Sequence, residues 1–229
     1  MGGVTAIEAQ NPKPQPQGLK PQAHIARVGI LGGTFDPPHY GHLVLAENSR
    51  VQLGLDRVLF VLAGQPPHKP SRPITPVGER VAMVQAAIGD NPAFFLSRVD
   101  LDRPGPHYTV DTLGLLQEVY PGADLFFLMG GDSLADFPIW RDPVGIVRQA
   151  RLAVMRRPGY RPNWVALEHG VPGIVDRLVW LDTLCLGIAA SDLRERVKNG
   201  MPIRYLVPPA VEAYIRDHHL YVDNRRLAE

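Results

Sequence analysis

The stretch Ile25-Ala26-Arg27-Val28-Gly29-Ile30-Leu31-Gly32-Gly33-Thr34-Phe35-Asp36-Pro37-Pro38-His39-Tyr40-Gly41-His42 carries three signals in a fixed order. A short apolar run, Ile25–Leu31, reads as a strand. Two glycines at its exit let a phosphate approach the backbone N–H groups with no Cβ in the way. Pro37-Pro38 then block helix and force an extended turn, which delivers His39 and His42 to the mouth of a helix expected over Gly41–Leu53. The free N–H groups and partial positive charge of that helix start add to the two imidazoles, so the loop is a candidate anion site.

Outward from this segment, short apolar runs alternate with longer amphipathic stretches, as βα repeats around a parallel sheet do. Further strands are expected at Arg57–Ala63, Ala93–Val99, Asp124–Met129, Arg151–Arg156 and Arg177–Leu181. Between and after them the helices expected are Pro76–Ile88, Val110–Val119, Asp142–Gln149, Asn163–His169, Ser191–Lys198 and Pro209–His218. Val77, Val81, Val84 and Ile88 recur at the helical period. Val58-Leu59-Phe60-Val61-Leu62 is apolar throughout, which suits a strand covered on both faces. The expected class is therefore α/β: a Rossmann-like, doubly wound parallel sheet with helices on both faces. Ligands of such sheets bind beyond the carboxyl ends of the strands, where strand order reverses.

Residues 1–24 include Asn11-Pro12-Lys13-Pro14-Gln15-Pro16-Gln17 and hold almost no large apolar side chain, so they read as a disordered Pro/Gln-rich extension. Residues 25–229 read as one domain. Across the 229 residues the formal charge is +1, with 45% hydrophobic and 21% charged residues, which gives no reason to expect a nucleic-acid or membrane partner. No run of about 20 apolar residues and no leader-like N-terminus is present, so a cytoplasmic protein is expected. Cys185, the single cysteine, excludes an intrachain disulfide; flanked by Leu184 and Leu186, it reads as a small buried hydrophobe. Trp164 and Trp180 read as packing residues.

The loop does not follow Gly-x-Gly-x-x-Gly, and no Gly-Lys-Ser/Thr P-loop occurs, which demotes hydride transfer and P-loop phosphoryl transfer. His39 and His42 have no third ligand at a matching local spacing, so a protein-held metal is not expected.

The string Gly32 to His42 resembles the HxGH signature of the nucleotidyltransferase superfamily, and in its extended form it is similar to the bacterial nicotinate-nucleotide adenylyltransferases. The resemblance continues through Pro66-Pro67-His68-Lys69, Tyr108-Thr109-Val110-Asp111-Thr112-Leu113, Gly130-Gly131-Asp132-Ser133-Leu134 with Trp140, and Arg157-Pro158-Gly159. It implies transfer of AMP from ATP to nicotinate mononucleotide, giving deamido-NAD and pyrophosphate, with Mg²⁺ carried by ATP and no metal ligand from the protein. His39, His42 and Arg194 would be catalytic. Gly32, Gly33, Thr34, Phe35, Gly41, Gly130, Asp132, Ile188, Ser191 and Arg194 would bind ATP. His68, Lys69, Tyr108, Thr109, Asp132 and Trp140 would hold the acceptor, with Thr109 either capping its helix or receiving the nicotinate carboxylate, and Trp140 stacking on the pyridine ring. The family's Ile-Ser-Ser-Thr-x-Ile-Arg-like string reads Ile188-Ala189-Ala190-Ser191-Asp192-Leu193-Arg194 here. Two hydroxyls are missing, while Ser191 is expected to cap its helix. Two other readings stay open: the same chemistry on nicotinamide mononucleotide or another phosphorylated acceptor, and a nucleotide-binding module without catalysis. The sequence is silent on oligomeric state.

Overall fold

The computed structural model describes residues 25–64, 74–156, 159 and 161–222. Six strands form a single parallel sheet: β1 (Arg27–Gly33), β2 (Arg57–Leu62), β3 (Phe94–Ser97), β4 (Asp124–Gly130), β5 (Arg151–Met155) and β6 (Leu178–Leu181). The spatial order is β3-β2-β1-β4-β5-β6, so the chain winds outward first to one side of β1 and then to the other. The reversal falls between β1 and β4, where Arg27–Ile30 run in register with Asp124–Phe127. That is the doubly wound arrangement expected from the alternating pattern.

Side-chain alternation along the strands sorts the core into two layers. On one face Leu31, Phe60, Leu62, Leu128 and Met155 pack with α1 (Tyr40–Leu53), α2 (Val77–Ile88), α8 (Ala190–Lys198) and α9 (Pro209–Asp217). On the other, Ile30, Leu59, Val61, Phe127 and Val154 pack with α3 (Thr109–Val119), α4 (Gly131–Asp136), α5 (Pro143–Gln149), α6 (Trp164–Gly170) and α7 (Ile174–Arg177). Every residue of β2 is buried, because a central strand with helices above and below has no solvated face.

Element ends differ from the sequence reading by at most two residues, and three short elements were not expected: α4, α7 and a 3₁₀ turn at Phe137–Ile139. Six, four and three residues are too few for a 3.6-residue period to show. Cys185 is a correction: it is exposed, in the irregular run after β6, where the neighbouring Leu184 is 74% exposed too. Two flanking leucines mark a core position only inside a regular element. Trp164 is likewise 38% exposed, with its ring edge-on to Trp180 at 5.9 Å, so of the pair only Trp180 packs against the core. Among the described residues no helix is long and apolar enough to cross a membrane. The tail at 1–24 lies outside the described residues.

Candidate active site

At the carboxyl ends of β1, β2 and β4 the sheet opens into a cleft of about 830 Å³ that crosses the reversal point. Its floor is the β1 exit, Gly32 to Asp36, continued by Val61 of β2, by Ala63 just beyond that strand and by Phe127 of β4. One wall holds His42, Ala190, Ser191 and Arg194; the opposite wall holds Tyr108, Thr109, Trp140 and Arg141.

The β1 exit is shaped by Phe35. Its φ of 48° lies in the left-handed region, which a bulky side chain rarely adopts, and only 2% of the residue is exposed. Its ring lies over Gly33, where an added Cβ would approach Phe35 to 2.9 Å, and meets His42 edge-on at 5.0 Å. Strain in the backbone is thus repaid by packing that aims the loop at the histidine.

The two histidines form a stacked pair, ring centroids 3.8 Å apart. The backbone N–H of His39 donates to His42 Nδ1 at 3.2 Å. A ring nitrogen that accepts carries no proton, so the neutral His42 ring bears its proton on Nε2 and is a donor there. His42 lines the cleft, whereas His39 is 7% exposed and stacks against it from behind. Burial lowers the His39 pKa to about 4. Burial, then the neighbouring His39, lowers His42 well below its ordinary value. Both imidazoles are therefore neutral at pH 7, so the loop presents N–H donors rather than imidazolium charge to the cleft.

A pH dependence of stability follows. Unfolded histidines titrate near 6.5, so between pH 6.5 and about 4 the unfolded chain binds protons that folded His39 refuses, and stability falls as pH drops through this window. His39 alone contributes about 3 kcal/mol of that loss. Urea unfolding at pH 7 and pH 4 measures it, and His39→Asn should flatten the difference; equal slopes for both proteins contradict the buried-neutral assignment.

Gly41, in the first turn of α1, is fixed by the same pair. A Cβ there would sit 3.0 Å from two atoms of the His39 ring. Alanine otherwise suits a helix better than glycine by about 1 kcal/mol. Gly41→Ala should therefore leave the melting temperature unchanged or higher while reducing turnover about tenfold, through displacement of the histidine pair; wild-type turnover would show that the ring yields freely.

Asp36 anchors the far side of the loop. Tyr221 donates its hydroxyl to Oδ1 at 2.7 Å, the Thr75 N–H reaches Oδ2 at 3.5 Å, and Arg194 donates to the Asp36 carbonyl while lying 3.9 Å from Oδ2. Burial first, then the Asp36 charge, pushes the Tyr221 hydroxyl up, keeping it a donor. Beneath the loop, Arg80 is 1% exposed and donates to four carbonyls: Thr34 at 3.0 Å, Ala63 and Thr75 at 2.8 Å, and Gly64 at 3.2 Å.

Residues 30–196 match the cytidylyltransferase-like family. A relative from Thermomicrobium roseum named "Probable nicotinate-nucleotide adenylyltransferase" is 51% identical over 86% of this chain and 92% of its own. The chain belongs to the nicotinate-nucleotide adenylyltransferase family. A second relative of that name, from Roseiflexus sp. (strain RS-1), is 47% identical over 86% of this chain and 98% of its own. The fold is shared with a more distant solved structure, Plasmodium falciparum nicotinic acid mononucleotide adenylyltransferase complexed with NaAD, at a TM-score of 0.68 and 20% identity over 86% of this chain and 97% of that one.

Of the residues singled out in this adenylyltransferase-family sequence, Gly32, Gly33, Thr34, Phe35, His42, Tyr108, Thr109, Trp140, Ser191 and Arg194 come together on the cleft. His39, Gly41, Gly130, Asp132 and Ile188 do not line it. Gly131 and Asp132 sit in the first turn of α4, not in a loop. His68, Lys69, Arg157 and Pro158 lie outside the described residues. Two capping expectations are corrected. Helix α8 begins one residue early, at Ala190, with Ala189 at its cap, so Ser191 falls inside the first turn and its Oγ pairs with Asp192 at 3.2 Å. Helix α3 is capped at Tyr108 with no side-chain bond, so Thr109 does not cap it; among the described residues its hydroxyl takes no partner. Thr112 is the committed hydroxyl, 2.8 Å from Asp100 and 3.1 Å from the Tyr108 carbonyl, with Arg103 closing the set at 2.7 Å from Asp100.

Asp36, Arg80, Tyr221, Asp100 and Arg141 were not singled out by sequence. A signal existed for Arg80, which stands four and eight residues before Val84 and Ile88 on the buried stripe of α2. No local signal existed for Tyr221, which is 185 residues from its partner.

Proposed function

We propose that this chain transfers AMP from ATP to nicotinate mononucleotide, giving deamido-NAD and pyrophosphate. The observation that carries the reading is the donor-lined β1 exit at the reversal point, closed on one side by His42 and Arg194 and on the other by the aromatic pair Tyr108 and Trp140. One end offers N–H groups and a guanidinium to a triphosphate. The other offers flat apolar walls to a pyridine ring.

In this reaction an oxygen of the acceptor's phosphate attacks the ATP α-phosphorus in line, the bond to the α–β bridging oxygen breaks, and its electron pair leaves with pyrophosphate. The attacking phosphate, with a second pKa of about 6, is already ionised at neutral pH, so no side chain need remove a proton. Catalysis reduces to positioning and charge stabilisation. His42 Nε2 donates to the bridging or β-phosphate oxygens, and the amides of Gly33 to Phe35 support the same groups. Arg194, held to Asp36, supplies positive charge as negative charge builds on the leaving group. His39 acts at the α-phosphate if its ring turns forward, and from its observed place it sets the His42 tautomer through its backbone. Trp140 stacks on the pyridine and the Thr109 hydroxyl meets the ring substituent.

Mg²⁺ belongs to this reading as an ion bound to the triphosphate. Among the described residues no group of three or more His, Cys, Asp or Glu is arranged for a metal, and the Asp36 carboxylate is engaged by Tyr221 and Arg194, which suits an ion that keeps its water and phosphate oxygens. A cytoplasmic setting, with its nucleotide pools, completes the reading.

The test is pyrophosphate release from ATP with nicotinate mononucleotide and, separately, with nicotinamide mononucleotide. Release with the acid and much slower release with the amide is expected. Preference for the amide would change the acceptor; release with neither would remove the enzymatic reading.

A further inference from the structure

We propose that Arg141 selects the acid form of the acceptor, its guanidinium pairing with the carboxylate on the pyridine ring. The inference rests on the reading of the cleft as an adenylyltransferase site for a pyridine mononucleotide, and it names a side chain that decides between acid and amide.

Among the described residues two arginines line the cleft, and they differ in what they are free to do. Arg194 is committed to the carbonyl and carboxylate of Asp36. Arg141 makes, among the described residues, one interaction: its guanidinium lies over the Tyr108 ring, 4.7 Å from the centroid. Stacking on an aromatic face uses the flat side of a guanidinium and leaves the N–H fork in its plane available for a planar, bidentate acceptor such as a carboxylate.

The position of Arg141 is fixed although its side chain is exposed. The 3₁₀ turn Phe137–Ile139 ends on Trp140, whose N–H donates to the Phe137 carbonyl at 3.1 Å. Directly after Arg141, Asp142 caps α5 at φ 47°, its carboxylate accepting from the Gly145 N–H at 2.9 Å. Arg141 thus stands between two anchored caps, beside Trp140 in sequence and over Tyr108 in space. A pyridine ring set against those two aromatic walls would present its 3-substituent at the ring edge, on the wall that Arg141 shares with Tyr108 and Trp140.

The charges nearby sharpen the choice. Asp100 also faces the cleft but is held by Arg103 at 2.7 Å and by Thr112. Asp136, on the same wall, carries a charge that opposes an incoming carboxylate. Arg141 offsets it. A carboxylate accepts two N–H bonds from the fork, whereas an amide turns at best its oxygen to the fork and sets its NH₂ against like donors.

The experiment measures kcat/KM for nicotinate and nicotinamide mononucleotides in the full chain, wild type against Arg141→Gln and Arg141→Lys, with melting temperature and KM for ATP alongside. Because the pair is partly exposed, the acid-to-amide ratio should fall about tenfold in R141Q, rather than the larger factor a buried pair would give, and R141K should recover part of it through charge without the fork. In wild type the ratio should also decline as salt rises, since both substrates share the phosphate and only the acid meets the cation. A ratio unchanged within twofold in an active R141Q protein overturns the inference alone. A wild-type protein inactive with both mononucleotides removes the underlying reading and the inference with it.

Discussion

Replacing His42 by alanine lowers turnover about 10²- to 10³-fold, the effect of removing one preorganised donor from a site where charge develops. The expectation follows from the hydrogen bond between the His39 N–H and His42 Nδ1, which leaves Nε2 as the donor, and from burial, which keeps the ring neutral. His42 also packs, stacked on His39 and edge-on to Phe35, so a loss in the alanine variant alone would not separate chemistry from structure. Two amides do. In His42→Asn the side-chain oxygen can take the place of Nδ1 and keep the His39 N–H satisfied, while the distal donor is gone; turnover should stay low in a folded protein. In His42→Gln the amide nitrogen can reach the place of Nε2, and part of the rate should return. Steady-state kcat in the three variants, with ATP binding measured separately, checks the assignment. A fall of less than threefold in H42A takes His42 out of the catalytic role.

Arg80→Met costs about 3–5 kcal/mol of stability, because four carbonyls lose a charged donor at once. Four carbonyls converge on this guanidinium, and the arginine is among the most buried side chains of the chain. Methionine fills much of the volume but leaves part-buried oxygens without donors, each costing up to about 1–3 kcal/mol where water cannot replace the bond. Lysine should recover less than half, since one ammonium cannot span acceptors from the segments after β1 and β2 and from the segment before α2. Urea unfolding gives the number, and a loss below about 1 kcal/mol would show that water takes the place of the fork. Because Thr34 is one of the acceptors, the same variant should also weaken ATP binding at temperatures where it remains folded.

The strand–Gly-Gly–Pro-Pro–helix order of Arg27 to Leu53 is a local pattern, and it led to the sheet, its reversal point and the loop that the cleft surrounds. Val58 to Leu62 announced a two-faced sheet by being apolar throughout, and the strand is buried along its whole length. The family resemblance led to the residues on both walls. What stayed hidden depends on contacts between segments far apart in the chain. Asp36 stands in the quoted loop, yet its role is set by Tyr221 and Arg194, 185 and 158 residues away. Ser191 was expected at a helix cap because serine favours that place, but Ala189 occupies it and the helix begins beyond. Cys185 was expected in the core on the strength of two leucines, and the run after β6 forms no regular element that would carry them inward. Arg80 shows the opposite case: a polar residue on an apolar stripe, buried because its acceptors are backbone oxygens at strand ends.

The neutral histidines bear on the mechanism as a whole. A site that relied on imidazolium charge would lose activity above the ordinary histidine pKa, near 6.5. With His39 held at about 4 and His42 well below its ordinary value, both rings keep the same protonation across neutral pH, and activity in this range should follow the ionisation of the acceptor's phosphate instead.

Direct transfer of the adenylyl group to a pyridine mononucleotide in the cleft beyond β1 and β4 underlies the roles proposed for His42, Arg194 and Arg141. With ATP labelled at its α-phosphorus and incubated with the protein, Mg²⁺ and nicotinate mononucleotide, the label should appear in deamido-NAD, one equivalent for each pyrophosphate released; label that remains in ATP or accumulates as free AMP would contradict it.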